Sequence, residues 1–123
     1  MNSVIDEGGV ATDPECLFCR IIAGDVPGDV VHADDRLVAF RDIAPKAPLH
    51  VLIAPREHRR DAAASAAADP TIVGDLVSAA AQIAGREGYD AYNLLFNTGA
   101  EAGQTVFHTH LHLLAGGLTA LPV

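Results

Sequence analysis

Three histidines at alternate positions, His108, His110 and His112, constrain this chain more than any other feature of it. They lie in the run Val106-Phe-His-Thr-His-Leu-His-Leu-Leu114. A helix advances about 100° per residue, so this spacing would scatter the rings around its circumference. A strand sends alternate side chains to opposite faces, and there all three imidazoles project from one side. Thr109, Leu111 and Leu113 then face the other way, towards a core. The run is therefore predicted to be a strand with one histidine-bearing and one buried face. Six histidines occur in the chain, and half of them fall within these five residues. Such a density of groups titrating near neutrality points to phosphoryl chemistry or metal binding.

At 123 residues the chain suits a single domain with its own core. Sixteen acidic residues against eight basic ones give a formal charge of −8. That balance argues against a nucleic-acid partner, which needs clustered cations. No apolar run approaches the ~20 residues required to cross a bilayer, so no membrane association is expected. Met1 to Glu15 is acidic and polar, unlike a secretory signal, and reads as a disordered leader ahead of a single domain over 16–123. Two cysteines cannot build a disulfide framework, which favours a cytoplasmic setting.

Leu17 to Ala23 has the apolar spacing of a short helix, stopped by Gly24 and Pro27. Asp29–Ala33, Arg36–Arg41 and Leu49–Ala54 are strand candidates, the first two joined by a tight turn at Asp34-Asp35. An Ala-rich helical stretch covers Arg60 to Ala68. Asp69 as N-cap and Pro70 at the first helical position open a long helix. Its apolar stripe is Ile72, Val73, Leu76, Val77, Ala80, Ile83 and Ala84, and Gly85 or Gly88 ends it. Tyr92–Asn97 is a further strand, followed by a Gly-containing loop over Thr98–Gln104. The expected fold is α+β: about five antiparallel strands in a meander, one long helix and one or two short ones.

Cys16-x-x-Cys19 taken alone has three explanations: two small apolar residues, a redox pair, or half of a zinc site. Redox use lacks a thioredoxin-like βαβ context. Structural zinc would need two further ligands. His32, unlike the triple, reads as an ordinary surface or core histidine.

His108-Thr-His110-Leu-His112-Leu-Leu resembles the motif of the histidine triad (HIT) nucleotide-binding family, with Thr109 at a position usually apolar. Four other segments resemble the same family in its order and spacing. They are Cys16-Leu-Phe-Cys-Arg-Ile-Ile-Ala-Gly-Asp-Val-Pro27, Asp34–Ile43, Pro48–His58 and Asn97–His108. The resemblance covers roughly Cys16 to Gly117 and is nearest to the branch that hydrolyses purine nucleoside phosphoramidates.

The resemblance implies that His110 is the nucleophile, attacking a nucleotide α-phosphate to give a nucleotidyl-histidine that water hydrolyses. It implies flanking roles for His108 and His112, with His50 sharing their proton network. Asn97, Gly103, Gln104 and Thr105 match the phosphate-contacting positions, where donors surround the transferring group. Asp42 matches the carboxylate that accepts from ribose hydroxyls, though a turn-capping aspartate reads the same way in sequence. Leu17, Phe18, Phe40 and Ile43 match the walls around a purine base. Bacterial members complete a zinc site with the histidine of Pro-x-x-His and the first triad histidine. Here those are His58 and His108, alongside Cys16 and Cys19. A homodimer, paired through the main helix and an edge strand, is also implied.

Two positions depart from the family. Leu49 stands where glycine is usual, and the chain ends at Val123 without the tryptophan-containing tail common in the phosphoramidase branch. Three functions are compatible with these residues: cleavage of purine nucleoside 5′-phosphoramidates, hydrolysis of dinucleoside polyphosphates by the same nucleophile, or nucleotide binding with incidental catalysis.

Overall fold

Burial on both faces makes Leu49–Pro55 the centre of the fold, because every residue of this strand is shielded from solvent. The computed structural model describes residues 4–5 and 11–117. In chain order the strands are β1 (Val4–Ile5), β2 (Ala11–Thr12), β3 (Val30–Ala33), β4 (Leu37–Arg41), β5 (Leu49–Pro55), β6 (Asn93–Leu95) and β7 (Leu111–Ala115). The helices are α1 (Leu17–Ile22), α2 (Ala62–Ala68) and α3 (Pro70–Arg86), with a 3₁₀ turn at Ala100–Ala102. β1 and β2 form a small antiparallel pair. The other five strands form one sheet in the order β3-β4-β5-β7-β6, antiparallel throughout. The expected α+β class and five strands are present, and the order leaves a plain meander at one point. After α2 and α3 the chain returns to the far edge as β6, then folds back as β7 between β6 and β5.

Alternation divides the sheet into two chemistries. Leu49, Val51 and Ile53 of β5 pack with Leu111, Leu113 and Ala115 of β7 against Leu76, Ala80 and Ile83 of α3. On the opposite face Leu52 and Ala54 join Val38, Phe40 and Phe18 of α1 in a second cluster. His50 and His112 alternate onto that second face. Burying each large aliphatic side chain contributes about 1.5–3 kcal/mol, so the α3 face dominates stability. The α1 face covers the sheet only partly, and there the polar groups collect.

Capping follows the sequence. Asp61 Oδ1 accepts from the Ala64 N–H at 2.9 Å and Asp69 Oδ1 from the Thr71 N–H at 3.1 Å, starting α2 and α3. Gly88 (φ 88°) takes the left-handed conformation after α3. Asp34 Oδ1 accepts from the Arg36 and Leu37 amides, closing the β3–β4 turn. The expected leader, Met1 to Glu15, lies in large part outside the described residues. Its last residues are tied in: Asp13 is buried, and its carbonyl accepts from the Cys16 N–H at 3.0 Å. The tail beyond Gly117 also lies outside them. Among the described residues no helix is long and apolar enough to cross a membrane.

Candidate active site and metal centre

The strand carrying the triad is shorter than its alternation predicts: β7 begins at Leu111, and Val106–His110 are irregular. The reason is a competing partner. The Thr109 N–H donates to the Arg59 carbonyl (2.9 Å), not to the neighbouring strand. Thr109 and Leu111 still turn to the buried side, Thr109 through a 2.6 Å hydroxyl contact with Ser65 of α2. The three imidazoles lie in sequence along the α1 side, His110 5.0 Å from His112 between ring centroids. They divide into two separate sites.

Backbone groups fix the proton positions in the first. The Lys46 N–H donates to His50 Nδ1 (3.1 Å), so neutral His50 carries its proton on Nε2. That Nε2–H points at His112 Nδ1, 2.9 Å away, leaving the His112 proton on Nε2. His110 Nδ1–H donates to the His108 carbonyl at 2.7 Å, so the His110 Nε2 lone pair is free. Burial lowers the pKa of His110, and lowers that of His50. Burial, with the neighbouring His110 and His50, lowers that of His112 to about 4. All three rings are thus neutral at pH 7, as this hydrogen-bond pattern requires.

These groups open into a cleft of about 740 Å³ shared by Asp42, Asn97, Gly103, Thr105, His50, His110 and His112. Asn97 Nδ2 donates to the Ala102 carbonyl at 2.9 Å, and Gly103 (φ 92°) closes the 3₁₀ turn beside it. Asp42 does two things at once: Oδ1 accepts from the Ala44 N–H (2.9 Å), capping the turn, while Oδ2 lies 3.4 Å from His50 Nε2. Gln104 is not free to meet a phosphate. It is buried; its amide donates to the Arg60 and Val106 carbonyls and accepts from the Gly99 N–H, and its own N–H donates to the Gly99 carbonyl. It holds the loop that carries Gly103 and Thr105.

The base-wall residues are also placed unevenly. Phe18 and Phe40 pack edge-to-face at 5.2 Å within the core, and Phe18 lies 4.9 Å from the His110 ring. Leu17 is exposed, and Ile43 is wholly exposed. None of the four lines the cleft beside His112. Lys46 and Glu101, which the sequence reading passed over, do line it. Lys46 is the chain's sole lysine, a signal available in the sequence.

The second site gathers Cys16, Cys19, His58 and His108, whose ligand atoms all lie within 4.8 Å of one another. Cys16 Sγ–His108 Nδ1 and Cys19 Sγ–His108 Nδ1 are 3.5 Å, Cys19 Sγ–His58 Nδ1 is 3.4 Å, and His58 Nδ1–His108 Nδ1 is 3.2 Å. A tetrahedral zinc bound at about 2.3 Å to sulfur and 2.05 Å to nitrogen sets S···N near 3.5 Å and N···N near 3.3 Å. The four groups therefore fit such an ion. His108 Nε2–H donates to the Pro55 carbonyl at 2.7 Å, which turns the Nδ1 lone pair inward. Contact with Cys19 lowers the Cys16 thiol to about 3, and the same contact raises that of Cys19.

An antiparallel sheet thus presents neutral histidines to a cleft, with a Cys₂His₂ cluster beside it. A family profile described as the HIT domain matches residues 23–117, and the chain belongs to that family. It is 41% identical over 104 residues to the purine nucleoside phosphoramidase of Escherichia coli K12, covering 83% of this chain and 87% of that protein. A HIT family hydrolase structure from Clostridium thermocellum superposes with TM-score 0.85 at 39% identity, covering 89% and 97% of the two chains. A zinc-bound histidine triad family protein from Mycobacterium smegmatis gives TM-score 0.73 at 33% identity, covering 81% and 73%.

Proposed function

We propose that the protein hydrolyses purine nucleoside 5′-phosphoramidates through a nucleotidyl-histidine on His110. One observation carries this reading: His110 Nδ1–H is committed to the His108 carbonyl, so Nε2 is a neutral nucleophile facing the cleft. The family and the phosphoramidase relative support the substrate class. His110 Nε2 attacks phosphorus, and the P–N electron pair leaves with the amine. The amine takes a proton that solvent supplies through His112. Water then attacks phosphorus, the bond to His110 breaks, and the water's second proton returns to solvent by the same route. His112 Nε2–H and Thr105 are the donors for the phosphate oxygens, while the Gly103 N–H is spent on the Ala100 carbonyl (3.0 Å) and shapes the loop beside them. Asp42 Oδ2 accepts from the ribose hydroxyls, and exposed Leu17 and Ile43 are the apolar side chains available to the base.

Cys16, Cys19, His58 and His108 hold structural zinc, which fastens α1 to the segment entering β7. In this reading the ion takes no part in the chemistry. We also place the protein in the cytoplasm as a homodimer. Exposed Leu94 on edge strand β6, with Tyr92 and Val77, supplies an apolar surface for pairing. The deciding experiment measures AMP release from adenosine 5′-phosphoramidate by the parent protein and by His110→Ala. Release is expected from the parent and loss of at least about 10³-fold in the variant. Equal rates would remove His110 as the nucleophile.

A further inference from the structure

Lys46 is the cation of the catalytic cleft, and nothing in the hydrolysis above uses its ammonium. The chain's other basic side chains are largely committed. Arg36, Arg41, Arg59 and Arg60 sit in ion pairs, and Arg56 and Arg86 donate to main-chain carbonyls. Among the described residues Lys46 has no ion-pair partner, although Asp42 and Glu101 line the same cleft.

Its backbone is fixed. The Lys46 N–H is bound to His50 Nδ1 at 3.1 Å, and Pro45 and Pro48 bracket the loop. A flexible four-carbon stem therefore swings a point charge from an anchored base beside the histidine pair. Its charge reaches both His50 and His112, on whose pKa values it bears. The region it sweeps is the cleft with Ala44, Leu95 and Leu114, whereas the base-wall residues lie outside that lining. The phosphate oxygens already have donors in His112 and Thr105. What remains for the ammonium is the group leaving from phosphorus.

We propose that Lys46 is a specificity residue that binds an anionic oxygen group, a carboxylate or a further phosphate, on the leaving group of the substrate. An amine derived from an amino acid carries its carboxylate close to the scissile nitrogen, within reach of such a rim cation. This rests on the phosphoramidase reading, and the test separates the two. The probes are AMP linked through nitrogen to a neutral alkylamine, AMP linked to glycine with a free carboxylate, and diadenosine tetraphosphate. The parent, Lys46→Gln and Lys46→Arg are compared by kcat/KM, and by calorimetric binding in a His110→Ala background where the substrate stays intact.

An ion pair at a solvent-facing rim is worth at most a few-fold. Lys46→Gln is expected to lower the glycine-to-alkylamine ratio about 5-fold at low salt, in both turnover and binding. Lys46→Arg should restore most of it, and the difference should shrink as salt rises. A larger loss on the tetraphosphate than on the glycine probe would assign the site to phosphate, the reverse to carboxylate. Equal loss on charged and neutral probes, or none on either, overturns the proposal even if phosphoramidate is hydrolysed. Turnover absent on every probe, with the binding ratio still falling in Lys46→Gln, would remove the phosphoramidase reading and keep the anion site. No measurable binding of any probe would overturn both.

Discussion

Ser65 and Thr109 are a buried hydroxyl pair whose removal can be worked out from the structure. Ser65 is the buried residue of an otherwise alanine helix and is 2% exposed; Thr109 is 1% exposed. Their oxygens are 2.6 Å apart, and Thr109 Oγ1 also lies 3.3 Å from the Arg59 carbonyl. Ser65→Ala leaves the Thr109 hydroxyl its second acceptor, so the expected loss is that of one net hydrogen bond, about 1 kcal/mol. Thr109→Val keeps the shape but sets a methyl against the Ser65 hydroxyl and takes the weaker of two donors from the Arg59 carbonyl, which keeps the Thr109 N–H, for about 2–3 kcal/mol. The double variant faces apolar groups against each other, and there desolvation of an orphaned hydroxyl disappears. Its expected loss is about 1–1.5 kcal/mol, below the sum of the singles by about 2 kcal/mol. Urea unfolding at one protein concentration, with zinc in excess, measures all four proteins. A double variant whose loss equals the sum of the singles within about 0.3 kcal/mol would refute the reasoning, because it would mean the two hydroxyls do not depend on each other.

Two further outcomes follow from the histidine sites. Burial and neighbouring imidazoles hold His112 at about 4 and depress His50, so the neutral relay persists below the imidazole's ordinary value of about 6.5. Protonation, and with it loss of kcat/KM, therefore comes only as pH falls well below 6.5; a half-maximal point at or above 6.5 would contradict the assigned hydrogen-bond pattern. Stripping metal with a chelator should lower Tm by about 10 °C or more and release close to one zinc per chain, since the four ligands join α1 to the β7 entry. A purified protein holding no zinc, with Tm indifferent to chelator and to added zinc, would leave those residues as packing.

The sequence determined the elements whose signals are local. Asp69-Pro70, the Asp34-Asp35 turn and the apolar stripe over Ile72–Ala84 each specify their structure through neighbouring backbone, and α3 and the β3–β4 hairpin form accordingly. The alternation at His108–His112 correctly sent Leu111 and Leu113 to the core, because a half-buried strand has a period of two. Other outcomes depended on groups far apart in the chain. The strand starts late because Arg59, fifty residues away, captures the Thr109 amide. Gln104 turns from a candidate phosphate ligand into a scaffold because the Arg60 carbonyl lies within its reach. The separation of His108 from His110 and His112 was open in the sequence, where one motif serves either a metal or a nucleophile. Only the tertiary structure brings Cys16, Cys19 and His58 to one side of His108 and the Lys46 amide to His50. Ring-nitrogen roles follow from those contacts, since a neutral imidazole has one donor and one acceptor and its surroundings select which is which.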